Sequence, residues 1–105
     1  MHLVPPPAFR GRRTIVVESE PPLLRGLLSA LESEGAETVY VTDPYSDAGA
    51  KRIARFTYCA VAMNAAHRRV AETLDVPVLI YGPHTAVPAE VGAIMQALRV
   101  ILPAE

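Results

Sequence analysis

Apolar and polar positions along this chain fall into two alternating kinds of stretch. The first begins at residues 13–34, RTIVVESEPPLLRGLLSALESE. Ile15, Val16 and Val17 form a continuous apolar run, the signature of a strand buried on both faces. Glu18, Ser19 and Glu20 end it. Pro21 and Pro22 suit a first helical turn, where a missing N–H costs little. Leu23, Leu24, Leu27, Leu28 and Leu31 then recur on one helical face, and Gly35 stands where a C-terminal cap is expected. The same alternation repeats down the chain. Residues 37–42, ETVYVT, read as a β-branched second strand closed by Asp43-Pro44. Ser46 or Asp47 caps a helix expected over 48–56. Residues 57–63, TYCAVAM, read as a third strand with Asn64 at its end, and 65–74 as a short helix. Residues 76–81, VPVLIY, read as a buried fourth strand broken by Gly82-Pro83, and 89–102 as a last amphipathic helix.

The order β-α-β-α-β-α-β-α predicts right-handed crossovers and an open parallel sheet of about four strands, ordered 2-1-3-4, with helices on both faces in three layers. Residues 1–12, rich in proline, read as a flexible tail, and 13–105 as one domain. Arg10, Arg12 and Arg13 read as a solvated cluster rather than a nucleic-acid arm. With 105 residues, half of them hydrophobic, the chain can build a real core. A net charge of −1 favours neither nucleic acid nor membrane as a partner. Cys59 is the single cysteine and reads as a buried, inert thiol. No apolar run is long enough to span a bilayer, and a cytoplasmic protein is the expectation.

In open parallel sheets, function sits outside the carboxyl ends of the strands. Here those ends carry Glu18, Ser19, Glu20, Asp43, Asn64, Gly82 and His84. Glu18, Glu20 and Asp43 read as solvated turn carboxylates rather than a metal site, because Ser19 and Asn64 leave too few anionic ligands for Mg²⁺. His2, His67 and His84 lack metal-ligand spacing, and His67 reads as a helix-surface residue. The segment ESEPP is wrong for a dinucleotide loop, since its carboxylates repel pyrophosphate. Tyr58 and Tyr81 are expected partly buried at strand ends, with their hydroxyls reaching water.

Three segments in order, VVESEPPLLRGLLSALESEG, TYCAVAMN and DVPVLIYG, make the chain resemble a response-regulator receiver domain of flavodoxin-like fold over residues 14–82. The resemblance implies a phosphorylation site, and the residues at its positions depart from it. Glu18 matches the first acidic residue. Ser19 stands where a second acidic metal ligand is expected, and Glu20 completes a degenerate acidic pocket. Asn64 stands at the phospho-acceptor position, where an amide is neither nucleophile nor anionic ligand. Gly82 stands at the switch-hydroxyl position, and no lysine follows Lys51. The segment after Gly82 has room for one helix and no fifth strand. The resemblance therefore implies a degenerate, truncated pseudo-receiver.

The expected function is a non-catalytic signalling module of bacterial two-component or cell-regulatory type. It would act by phosphorylation-independent protein–protein contact, with no cofactor and no metal. Its partner would be a histidine kinase, a phosphotransfer protein, another regulator or a second copy. Strand four becomes a sheet edge that either the last helix or a second copy must cover. Met95, Val100, Ile101 and Tyr81 are the expected partner or dimer surface. The alternative is a small-ligand-binding α/β domain using the strand ends, with Glu18, Asn64 and His84 as polar contacts.

Overall fold

A computed structural model of the chain describes residues 9–55 and 58–103. Four parallel strands, β1 (Arg13–Val17), β2 (Glu37–Val41), β3 (Ala60–Asn64) and β4 (Val78–Tyr81), form one sheet ordered β2-β1-β3-β4. With helices on both faces this is a flavodoxin-like α/β arrangement. In register, Ile15 lies beside Val39 and Val61, and Asn64 beside Tyr81.

Side-chain alternation divides the core into two. Val16, Ala60, Ala62, Leu79 and Tyr81 face α1 (Pro21–Ser33) and α4 (Val91–Ile101). Ile15, Val17, Val41, Val61 and Met63 face the other side, with Ile53 of α2 (Asp47–Arg55) and Val70 and Ala71 of α3 (Arg68–Ala71). Helix α1 opens on its two prolines and buries Leu24, Leu27 and Leu31, spaced to lie on one stripe. It ends in a Schellman cap: Gly35 at φ 83° donates to Glu32 O, and Ala36 donates to Leu31 O. Ser46 caps α2, its hydroxyl accepting from Gly49 N–H at 3.0 Å.

Several elements depart from the sequence expectations. Phe9 is fully buried in the α1/α4 core, and Gly11 N–H bonds Gly35 O, so residues 9–12 are packed rather than part of a free tail. Arg13 pairs with Glu37 at 2.8 Å, and Arg12 donates to the Pro103 carbonyl. The expected tail over residues 1–8, the expected helix end at Phe56 and the expected strand start at Thr57 lie outside the described residues. Strand β4 starts at Val78 rather than Val76. Pro77 has no N–H for the ladder and only accepts, from Val61 N–H. The helix expected over 65–74 is a 3₁₀ turn (Ala65–His67) followed by the single turn of α3. Residues 72–74 then close in i→i+3 bonds that tighten the chain.

Helix α4 packs against α1, β3 and β4. Met95 is 5 % exposed and Tyr81 is fully buried, so neither lies on the partner surface expected of them. The reason is parity: Tyr81 shares its sheet face with Leu79, and Met95 shares the helix face of Ile94 and Leu98. Ile101 is half-buried, and Val100 is 82 % exposed. Among the described residues no helix is long and apolar enough to cross a membrane.

Candidate functional site at the carboxyl ends of the strands

The alternation that builds the α1/α4 core also builds the site. Continuing each strand by one inward position beyond Val16, Ala62 and Leu79 gives Glu18, Asn64 and Tyr81. All three therefore converge on one face at the carboxyl ends of β1, β3 and β4. Glu18 is 1 % exposed. Its Oε1 accepts from Asn64 Nδ2 at 3.0 Å and from the Tyr81 hydroxyl at 2.7 Å. Its Oε2 accepts from the Glu20 N–H at 2.9 Å.

Burial alone pushes the Glu18 carboxyl pKa up. Hydrogen bonds from Asn64, the Glu20 N–H, Tyr81 and the Ser19 N–H outweigh it and hold the group below its ordinary value of 4.5. Glu18 is thus a buried carboxylate kept ionised by neutral donors, with no cation among those partners. Its depressed folded pKa stabilises the protein above pH 4.5. That contribution is lost as the pH falls through the lower folded value. The same contact acts oppositely on Tyr81. Burial first, then the hydrogen bond and charge of Glu18, raise its pKa and keep the hydroxyl a donor. The Tyr81 hydroxyl therefore turns inward to Glu18 rather than reaching water.

Asn64 has a second task. Its Oδ1 accepts from Ala66 N–H at 2.9 Å and caps the 3₁₀ turn, while its Nδ2 holds Glu18. An aspartate could do the first but not the second. Gly82 sits at φ 111°, and its N–H bonds Val87 O. The loop is tied further by Thr85 Oγ1, which meets the carbonyls of Gly82 and Val87 at 2.8 Å each. A Cβ at Gly82 would meet Asn64 Oδ1 at 3.7 Å, so Gly82 and Asn64 are neighbours at the strand ends. The Gly82 backbone, however, is one that L side chains rarely adopt.

The other expected residues are dispersed. Glu20 is exposed and supplies its N–H rather than its carboxylate to the cluster. Asp43 Oδ1 accepts from Tyr45 N–H within its own turn. His84 is exposed at φ 62°. Cys59 is half-buried, its thiol 3.2 Å from Arg13 O. Among the described residues no group of three or more His, Cys, Asp or Glu is placed to hold a metal ion.

One neighbour was missed in the sequence. His67, read there as a helix-surface residue, lies with Nε2 3.0 Å from Ser19 Oγ and its ring against Tyr45. The 3₁₀ turn capped by Asn64 brings it there, and no periodicity signals that. Ser19 also donates to Thr42 O at 2.7 Å. The arrangement that satisfies both contacts has Nε2–H donating to Ser19, which leaves Nδ1 buried and, among the described residues, without a hydrogen-bond partner. Among the described residues no carboxylate meets the imidazole, and the serine proton is committed to a carbonyl, an arrangement unlike that of an activated nucleophile.

No protein-family model matches the chain, and neither a curated protein nor a solved structure is significantly similar to it.

Proposed function

We propose that the protein is a pseudo-receiver: a phosphorylation-independent signalling module that acts by binding other proteins. The observation that supports this most is the Asn64–Glu18 hydrogen bond. At the position where phosphoryl transfer needs an aspartate, the chain has a donor, and that donor is spent on the acidic residue a metal ion would otherwise use. Tyr81 fills the remaining acceptor capacity of the same oxygen. The cluster then holds together three strand ends and presents a fixed surface to a regulator of two-component type.

The test is incubation of the purified protein with acetyl phosphate and Mg²⁺, followed by intact mass. No phosphoryl adduct is expected, and binding to a cognate signalling partner should not depend on the phosphodonor. An adduct on the wild-type chain would overturn the proposal.

A second reading, a small-ligand-binding domain, is favoured by a different feature. Between α2 and α3 lies an open groove of about 760 Å³, walled by Pro44, Tyr45, Ile53, Tyr58, Val70 and Leu74. It lies on the α2/α3 face of the sheet and reaches Tyr58 and Val76, which precede β3 and β4, so it is separate from the Glu18–Asn64 pair. Native mass spectrometry of freshly purified protein separates the readings: a retained metabolite supports ligand binding.

A further inference from the structure

The two edges of the sheet are treated differently by the chain. Which backbone groups face each edge follows from the ladder. Glu37 N–H bonds Arg12 O and Glu18 N–H bonds Val41 O, so Glu37, Val39 and Val41 bond inward to β1 and Thr38 and Tyr40 face out. That edge carries a guard at one carbonyl. Arg52 donates to Tyr40 O at 3.0 Å, and its guanidinium lies 5.8 Å from the Tyr40 ring centroid. A charged side chain over an edge carbonyl is a recognised guard against further pairing.

The β4 edge has no such guard. Val61 N–H bonds Pro77 O, so Pro77, Leu79 and Tyr81 bond inward to β3, and Val78 and Ile80 present their N–H and C=O groups outward. Among the described residues no side chain or backbone group meets those of Val78 or Ile80. Their side chains are half-buried on the α2/α3 face, beside Leu74 and Val76. Helix α4, the element with the best chance of covering this edge, is instead engaged on the opposite face with α1. An apolar, uncharged edge strand of this kind is a template for strand addition.

We propose that β4 pairs antiparallel with β4 of a second copy about a two-fold axis at Leu79, joining the two sheets into one. The strand is self-complementary in that register. Val78 faces Ile80 of the partner copy and Ile80 faces its Val78, so every outward N–H and C=O of both residues is satisfied. The flanking residues favour the same direction. Exposed Asp75 precedes β4 and exposed His84 follows it, so antiparallel pairing brings an acceptor end beside a donor end at both ends of the seam. A parallel partner would set like beside like. This inference rests on the edge alone and does not depend on the signalling reading of the Glu18 cluster.

The experiment is sedimentation of the full chain across the micromolar range, with amide hydrogen exchange at the same concentrations. A dimer is expected, with the Val78 and Ile80 amides slowed by at least about tenfold relative to dilute protein. The Ile80→Lys variant should be monomeric, with the charge placed on the edge. Val78→Pro, which removes one outward N–H and leaves the inward ladder intact, should weaken the dimer as well. A monomer at all concentrations would overturn the proposal. So would a dimer in which Val78 and Ile80 exchange as fast as in the monomer, or one that a folded Ile80→Lys protein retains. Pairing seen only with an added foreign peptide would assign the edge to another protein's strand and equally contradict self-pairing.

Discussion

Replacing Asn64 by aspartate is expected to destabilise the protein at neutral pH by roughly 2–4 kcal/mol, through loss of a hydrogen bond to a buried charge and the approach of two like charges. The cap to Ala66 N–H survives, because aspartate still accepts there. The donor to Glu18 does not, and a second carboxylate then lies about where Nδ2 stood, 3.0 Å from Oε1. The two carboxyls titrate as a pair, one of them pushed up by the other. The sign of the pH dependence therefore reverses. Wild-type stability in acid rises with pH, because the Glu18 folded pKa lies below its unfolded value. The variant should lose stability as pH rises through the raised pKa of the pair, and regain it in mild acid. Urea unfolding of both proteins at pH 5 and pH 7.5 checks this, and equal deficits at the two values would count against it. The variant should still form no stable phosphoryl adduct. Ser19 offers no carboxylate, and Gly82 has a backbone that disfavours a hydroxyl-bearing residue. The sequence holds no lysine after Lys51. On the pseudo-receiver reading proposed above, one restored group does not recover electrostatic stabilisation that several supply together.

Val17→Asp should cost more, several kcal/mol, a large part of the whole stability of a domain this size. Val17 is fully buried in the central strand, between Val41 and Met63 in register. Glu18 is as buried as Val17 but turns to the opposite face, where Asn64, Tyr81 and the Glu20 N–H meet it. A carboxylate at position 17 would face Ile15, Ile53, Val61 and Met63, none of which donates a hydrogen bond. Circular dichroism and thermal unfolding read the outcome. A cooperatively folded, soluble Val17→Asp protein would contradict the assignment of β1 to the centre of the sheet.

Local pattern was enough to read the sheet, and not enough to read the site. The run Ile15–Val17 and the small apolar residues Ala60–Ala62 mark central strands buried on both faces, and the helical spacing of Leu24, Leu27 and Leu31 marks α1. With right-handed crossovers these are consistent with the observed order β2-β1-β3-β4. Phe9 was invisible for the opposite reason: a lone aromatic after three prolines has no periodicity, and only the tertiary fold shows that it fills the α1/α4 core. The tie between Glu18 and Asn64 spans 46 residues, and its location at the strand ends followed from the topology. Its chemistry did not, because an asparagine at a strand end shows in sequence only what it lacks as a nucleophile, and its donor to Glu18 depends on the tertiary contact. Tyr81 departs from the expectation because a tyrosine at a strand end ordinarily sends its hydroxyl to water, whereas here Glu18 accepts it. Its inward direction follows from alternation with Leu79, which faces the α1/α4 core. His67 depends on a 3₁₀ turn where the sequence suggests a regular helix.

Glu18 is a buried, ionised carboxylate whose hydrogen-bond partners, Asn64, Tyr81 and the Glu20 N–H, are all neutral. An NMR titration of the Glu18 side-chain carboxyl carbon, repeated with millimolar Mg²⁺ and in the Tyr81→Phe variant, tests it most directly. The midpoint should lie below 4.5 in the wild-type protein, stay there when Mg²⁺ is added, and rise when the Tyr81 hydroxyl is removed. A midpoint at or above 4.5, or one that Mg²⁺ displaces, would contradict the account, because Glu18 would then be a carboxylate open to a cation.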